Sequence, residues 1–223
     1  MAGDRPFSAF PLSRRLFILG APLALGACVT TQTPQPRSSG LSPQMEAMYA
    51  PVPGEPFPVD AVDLSEVDPR FLRQEVNYDG PYAPGTIVID VNARYLYLVE
   101  RGGRAMRYGV GVGKEGFVFK GEATIKRKEE WPHWTPTENM IRLQPTRYGP
   151  YRAGLPGGET NPLGPRALYL YQGDRDTMFR IHGTIEPWSI GKQVSSGCIR
   201  LLNQDIIDLY SRVPVGTHVV VKG

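Results

Sequence analysis

The chain has 223 residues, of which 41% are hydrophobic and 21% charged. This composition can bury the core of one ordinary domain, and it excludes a wholly disordered protein. The formal net charge is +3, and most of that excess precedes residue 28, so the rest of the chain has no electrostatic footprint for a nucleic acid.

Residues 1–27 have the layout of an export signal. Arg14 and Arg15 precede an apolar run, and small residues stand just before Cys28. A basic region, a short apolar region and a small-residue processing point are typical of a signal peptide. About twelve apolar residues are too few for a membrane anchor, which leaves a short buried helix as the alternative.

Two shorter motifs refine this prediction. The stretch SRRLFI resembles the twin-arginine export motif, which carries a chain across the membrane already folded. The stretch LGAC resembles a lipobox, whose cysteine, here Cys28, becomes lipidated and forms the new N-terminus. We therefore expect a periplasmic lipoprotein anchored to a membrane through Cys28. Cys198 then remains either as a reactive thiol or as a small buried apolar residue.

The next part of the chain changes composition twice. Residues 28–59 are rich in Pro, Ser, Thr and Gln, and such a segment cannot bury enough apolar surface to offset its ordering entropy. We predict a disordered tether there. Residues 60–83 are more mixed and are predicted to form an arm that packs on the domain or offers a second contact surface. The domain itself is predicted over residues 84–223.

Alternating β-branched and aromatic residues follow. Residues 84–113 carry this alternation around turn signals at Asn92-Ala93 and Gly102-Gly103, which predicts a hairpin or a meander. The stretch NQDIIDLYSRV has apolar residues at helical spacing, with Asn203 as its N-cap, and predicts one short helix. Further strands are predicted in GEATIKRKEEW, RALYLYQG, MFRIHGT and VGTHVVVKG.

Residues 111–116 match the pattern Gly-x-Gly-x-x-Gly. A dinucleotide site requires a helix to begin at this point, and the strand-like stretch FVFKGEATI follows instead. We therefore interpret these glycines as turn and packing residues.

Residues 131–165 are long for a loop without a periodic signal, and such loops are usually functional or disordered. Four aromatic residues argue against disorder, because these side chains prefer to be buried. They are Trp131, Trp134, Tyr148 and Tyr151. We predict an ordered lid or wall; the alternative is a packed connection without a role.

The chemistry-bearing residues suggest a thiol nucleophile. His182 ends a strand pattern, and Cys198 follows sixteen residues later in a glycine-containing loop. A nearby imidazole can take the thiol proton and form an ion pair that lowers the pKa of the cysteine. Gly197 lets the backbone approach closely, so the amides around Cys198 can point at a developing oxyanion.

A metal site is the alternative use of the same inventory. The candidate ligands are His133, His182, Cys198 and His218. None of them shows the close spacing that makes a zinc prediction specific, so we expect no metal.

His182-Gly183-Thr184, followed by Ser195 to Leu201 (SSGCIRL), resembles the signature of the L,D-transpeptidase catalytic family. That signature is a histidine, a gap of about fifteen residues, and Ser/Thr-His-Gly-Cys with an apolar-polar pair. The likeness extends over residues 84–223. It implies a mainly β, mixed β-sandwich fold with one or two short helices and a long lid-like loop, and no cofactor.

The resemblance also implies roles for single residues. Cys198 corresponds to the nucleophile and His182 to its general base. The Gly183 carbonyl stands where the family orients the imidazole, and the amides around Gly197 and Cys198 form the oxyanion hole.

Other positions are expected to contact the substrate, namely Ser195, Arg200, Trp134 and Asn161. Arg200 would bind a substrate carboxylate or brace the loop; the alternative is an ordinary surface arginine. Ser196 departs from the family pattern, which has histidine there. A serine hydroxyl cannot carry a positive charge, so the thiol would depend on His182 and Arg200.

The implied reaction is acyl transfer on peptidoglycan stem peptides. Cys198 attacks the bond between an L-centre and a D-residue, releases the terminal D-amino acid, and passes the acyl group to an amine. A diaminopimelate side chain, a protein amine or a D-amino acid could accept it, whereas water would make the protein an L,D-carboxypeptidase. Another cysteine peptidase or amidase, and a non-catalytic wall-binding lipoprotein, remain alternatives.

Overall fold

The computed structural model describes residues 41–113, 119–195 and 197–223. The chain divides into two units, 1–37 and 38–223, and every described residue belongs to the second. The predicted signal peptide, Cys28, the start of the predicted tether, and the end of the Gly-x-Gly-x-x-Gly stretch lie outside the described residues.

The strands are β1 Gln74–Asn77, β2 Ile87–Asp90, β3 Tyr95–Glu100, β4 Arg104–Gly109, β5 Val112–Gly113, β6 Gly121–Glu130, β7 Arg166–Gln172, β8 Arg175–His182, β9 Gln193–Ser195, β10 Ile199–Arg200 and β11 His218–Lys222. The α-helices are α1 Pro43–Met48, α2 Glu138–Leu143, α3 Pro145–Tyr148 and α4 Asn203–Arg212. Short 3₁₀ turns occur at Leu64–Glu66, Pro69–Phe71, Gly149–Tyr151 and Pro187–Ser189.

One nine-stranded sheet dominates the described chain, in the order β1-β4-β3-β2-β11-β6-β7-β8-β10. Two of its pairings are parallel, β11 with β2 and β10 with β8, and the others are antiparallel. A second, two-stranded parallel sheet joins β5 and β9. The mixed, mainly β fold implied by the resemblance is confirmed.

The strands predicted from alternation are confirmed at both turn signals, because β2, β3 and β4 follow one another as an antiparallel meander. The main core lies between the sheet and α4, whose Ile206 and Leu209 are completely buried. The predicted N-cap is wrong in detail. Leu202 precedes the helix without a side-chain cap, and the Asn203 side chain is used elsewhere, as described below.

The N-terminal segment, defined as residues 41–77, is ordered and packed. α1 begins with Pro43 at its first position, and the Ser42 hydroxyl accepts a hydrogen bond from the Met45 amide. Tyr49 is 1% exposed, and it belongs to a second apolar cluster that also contains Phe71 and Leu202. The prediction of a disordered tether is therefore wrong for residues 41–59, because this part does bury apolar side chains.

β1 completes the N-terminal segment by pairing antiparallel with β4 at one edge of the sheet. The predicted arm thus extends the sheet as well as covering it. Within the described part of the chain, no helix is both long enough and apolar enough to cross a bilayer.

Candidate active site

β8 and β10 bring the two predicted catalytic residues together. His182 is the last residue of β8, and Cys198 immediately precedes β10. In the parallel pairing of these strands, Arg200 lies opposite His182. Residues two apart along a strand face the same side, so Cys198 is placed on the side of His182. Both side chains line one cavity of about 370 Å³.

The imidazole of His182 has a defined hydrogen-bond partner. Its Nδ1 lies 2.6 Å from the Gly183 carbonyl oxygen, as expected from the resemblance. A carbonyl can only accept, so Nδ1 carries the proton and Nε2 keeps its lone pair. Burial and the nearby Arg200 charge lower the pKa of His182 to about 3, although the Gly183 bond opposes this. The ring is therefore a neutral base at neutral pH.

The thiol of Cys198 is also neutral at rest. Burial raises its pKa, and this outweighs a hydrogen bond from the Arg180 backbone amide and the charges of Arg180 and Arg200. The directions of both pKa shifts run against the expected thiolate–imidazolium pair in the resting site. A water-poor site disfavours both the thiolate and the imidazolium charge.

Two glycines shape the backbone of the site. Gly197 has a φ of 130°, a conformation that side chains disfavour. A Cβ at Gly183 would collide with the Asn203 side chain. Asn203 Oδ1 accepts a hydrogen bond of 2.9 Å from the Thr184 amide, so Asn203 fixes the backbone just after His182.

Arg200 braces the site through a carboxylate that the sequence analysis missed. Its Nη1 lies 2.5 Å from Glu186 Oε2, and its side chain is only 17% exposed. The other carboxylate oxygen, Glu186 Oε1, accepts a hydrogen bond of 3.2 Å from Arg147. Arg200 is therefore a bracing residue that also lines the cavity, and it is not an ordinary surface arginine.

The lid, residues 131–165, is ordered and contains α2 and α3. Trp134, a predicted substrate contact, lines the cavity, and its ring lies 6.2 Å from that of Tyr148 and 6.0 Å from that of Tyr151. The Trp134 backbone also pairs with Leu155 across the lid. Trp134 thus packs against both tyrosine rings, and Trp134 and Tyr148 form part of the cavity wall.

The N-terminal segment clamps the two ends of the lid. Glu55 accepts hydrogen bonds of 2.6 and 2.9 Å from Arg166, which follows the lid. The same carboxylate accepts a bond of 2.9 Å from the indole of Trp131, which begins the lid. No sequence signal marks this contact, because it joins residues that are distant along the chain.

Asn161 does not contact the cavity, so its predicted substrate contact is wrong. The residue is completely buried. Its Nδ2 donates to the carbonyls of Pro132, Leu155 and Pro156, and its Oδ1 accepts from the Leu163 amide. Asn161 ties the segments of the lid together, and its complete burial keeps its amide away from a substrate in the cavity.

Two further predicted site residues, Ser195 and Ser196, are described only in part or not at all. Ser195 ends β9, whose backbone pairs with Gly113 of β5. Ser196 lies outside the described residues, so its predicted supporting role stays a prediction.

Of the four candidate metal ligands, His133 and His218 do not line the cavity that His182 and Cys198 share. His133 contacts Thr135, and His218 pairs with Glu122. Among residues 41–113, 119–195 and 197–223, His, Cys, Asp and Glu side chains form no group of three suited to a metal ion.

Comparison with known proteins identifies relatives by sequence. The Probable L,D-transpeptidase ErfK/SrfK of Escherichia coli K12 is 38% identical over 136 residues, 60% of this chain and 42% of that protein. The Probable L,D-transpeptidase YbiS of the same strain is 34% identical over 137 residues, 60% of this chain and 43% of that protein. The chain thus spans less than half the length of these relatives.

Solved structures also match. A Brucella melitensis protein described as a probable carnitine operon oxidoreductase is 53% identical, with a TM-score of 0.49, over 72% of this chain and 99% of that one. An L,D-transpeptidase from Mycobacterium smegmatis is 23% identical, with a TM-score of 0.45, over 62% of this chain and 58% of that one.

The model of the L,D-transpeptidase catalytic domain (YkuD) matches residues 84–221. This match covers more than half of the chain and includes the cavity strands β8 and β10. The chain therefore belongs to the L,D-transpeptidase catalytic-domain family.

Proposed function

We propose that the chain is a peptidoglycan L,D-transpeptidase with Cys198 as nucleophile and His182 as general base. The observation that carries this proposal is the shared cavity of the two side chains, in which His182 is a neutral base. Family membership supports the substrate class, a wall stem peptide.

The first half-reaction forms a thioester. Cys198 Sγ attacks the carbonyl carbon between the L-centre and the D-residue of the donor stem, and its proton moves to His182 Nε2. Negative charge develops on the carbonyl oxygen, and the amides of Gly197 and Cys198 donate to it. The tetrahedral intermediate collapses, His182 returns the proton to the leaving nitrogen, and the terminal D-amino acid departs.

The second half-reaction regenerates the thiol. An acceptor amine attacks the thioester carbonyl, and His182 takes a proton from the amine nitrogen. The new amide forms as Sγ leaves and takes the proton back. With a diaminopimelate amine the product is a wall cross-link; with a protein amine it is an anchored protein.

Product analysis tests this proposal. The 223-residue chain is incubated with purified disaccharide-tetrapeptides, and the products are separated and weighed. Cross-linked dimers with release of the D-amino acid are the expected result. Trimmed tripeptides alone would establish an L,D-carboxypeptidase, and cleavage at another wall bond would establish a peptidase or amidase. An unchanged substrate would favour a non-catalytic protein that binds the wall.

We also propose that the protein acts in the periplasm as a lipoprotein attached through Cys28. The support is the sequence pattern of residues 1–28. Metabolic labelling with a palmitate analogue should mark the wild-type chain and fail to mark Cys28→Ala. Equal labelling of both chains would refute the anchor and leave the catalytic proposal intact.

A further inference from the structure

Among the charged side chains that line the cavity, positive charges outnumber negative ones. Of the described side chains that line it, Arg147, Glu186 and Arg200 carry full charges. His182 is neutral because of its lowered pKa, and the thiol of Cys198 is protonated because its pKa is raised. The cavity wall therefore holds one more positive charge than negative, which favours an anionic ligand.

Glu186 does not bind its two arginines equally. Arg200 lies 2.5 Å away, and both of these side chains are at most 25% exposed. Arg147 lies 3.2 Å away, and its side chain is 58% exposed. A short, shielded ion pair persists, whereas an exposed pair contributes little to stability. Arg147 is therefore the partner that Glu186 can release.

The position of Arg147 is also suited to a ligand. It lies in α3 of the lid and lines the same cavity as His182 and Cys198. Exposed apolar side chains, Leu143, Ile185 and Trp188, line the same cavity as Arg147. A carboxylate paired with arginine is more strongly bound beside such apolar surface than in open water.

We propose that Arg147 is a carboxylate-binding residue of the donor site. On substrate binding its guanidinium leaves Glu186 and pairs with the carboxylate of the D-amino acid that the reaction releases. Glu186 remains on Arg200 as a positioning residue. The inference rests on the proposed function and deepens it, because it assigns a part of the substrate to a residue of the lid.

Donor stems that differ only at the terminal carboxyl group test the assignment. The full chain is assayed with a disaccharide-tetrapeptide that ends in a free carboxylate and with the same donor ending in a carboxamide. The wild type is expected to prefer the carboxylate, and Arg147→Gln should lower that preference about tenfold through KM. Arg147→Lys, which keeps the charge, should restore part of the preference.

The matched control is Arg142→Gln. Arg142 is an exposed arginine of the same lid that bonds Asn139 and does not line the cavity. This variant should keep the wild-type preference. An unchanged preference in Arg147→Gln, or an equal loss in Arg142→Gln, would overturn the assignment.

Alkylation of Cys198 separates this inference from the proposed reaction. Iodoacetate carries a carboxylate and iodoacetamide does not. Peptide mapping distinguishes alkylation of Cys198 from alkylation of Cys28. Arg147→Gln should lower the iodoacetate rate relative to the iodoacetamide rate. A lowered ratio supports the carboxylate site even if the chain turns over neither stem peptide. An unchanged ratio of the two alkylation rates refutes the site even if the chain turns over both stem peptides.

Discussion

Glu55 should stabilise the protein far more than its place in a proline-rich stretch suggests. Its carboxylate pairs with Arg166, and the two side chains are 11% and 9% exposed. It also accepts the indole N–H of Trp131. Glu55→Ala leaves the Arg166 guanidinium and the Trp131 indole without this acceptor at the two ends of the lid.

The magnitude follows from these contacts. Removing one member of a buried ion pair costs about 3–5 kcal/mol. Glu130 lies 3.8 Å from Arg166 and offsets part of the loss, which favours the lower end. We expect the free energy of unfolding to fall by about 3 kcal/mol, which corresponds to a decrease in Tm of about 6–12 °C for a unit of this size.

The pH dependence has a definite sign. The hydrogen bond from Arg166 holds the pKa of the Glu55 carboxyl below its ordinary value. A carboxyl whose pKa is lowered in the folded state stabilises that state above its unfolded pKa, and the contribution is lost as the pH falls through the lowered pKa. The stability gap between wild type and Glu55→Ala should therefore be full at pH 7 and narrow below about pH 4.

Urea unfolding followed by tryptophan fluorescence measures this gap, and hydrogen exchange of lid amides reports whether the lid opens. The matched control is Glu66→Ala, an exposed glutamate of the same N-terminal segment, which should change stability by less than about 0.5 kcal/mol. Equal stabilities of Glu55→Ala and Glu66→Ala would refute the clamp.

Three further predictions concern the site and the helix beside it. Alkylation of Cys198 by iodoacetamide should keep rising with pH beyond 8, because its pKa is raised; a plateau near pH 6–7 would instead indicate a preformed ion pair. Gly197→Ala should abolish acyl-enzyme formation while circular dichroism stays native, because alanine is strained at a φ of 130°, and full activity would contradict this. Burial raises the pKa of Asp205 to about 7, so folding favours its protonated form. The stability of Asp205→Asn relative to wild type should rise between about pH 4 and 7 and level off above that, and urea unfolding that shows a constant difference would contradict this.

The central pair of residues was accessible from the sequence because each lies in a short, contiguous motif. His182 with Gly183, and Gly197 with Cys198, are local patterns, and the strands around them alternate clearly. The protonation state was not accessible in this way. It depends on burial and on the Arg200 charge, which only the assembled strands supply.

The N-terminal segment shows where composition misleads. Its proline-rich stretch resembles a tether, yet Tyr49 is buried and its hydroxyl accepts a hydrogen bond of 2.6 Å from the Arg73 amide. The burial partner, Leu202, lies far along the chain. At Asn203, too, a tertiary contact replaces the local one. Its side-chain oxygen accepts a hydrogen bond from the Thr184 amide instead of capping the helix, as local preference would predict.

The same limit explains the residues that were missed or misassigned. Glu186 gains its importance from Arg200 and Arg147, which lie on a strand and on the lid. Asn161 looked like a polar residue available to a ligand, but the carbonyls of the folded lid surround it. Such roles are set by contacts between distant segments, for which a single sequence carries no local pattern.

Intact-protein mass spectrometry with a disaccharide-tetrapeptide or a carbapenem tests the nucleophile most directly. The wild-type chain should gain one acyl group that maps to Cys198, while Cys28→Ala should gain it equally and Cys198→Ala should gain none. An adduct on Cys198→Ala, or one that maps to Cys28 in the wild type, would contradict the assignment of Cys198 as nucleophile.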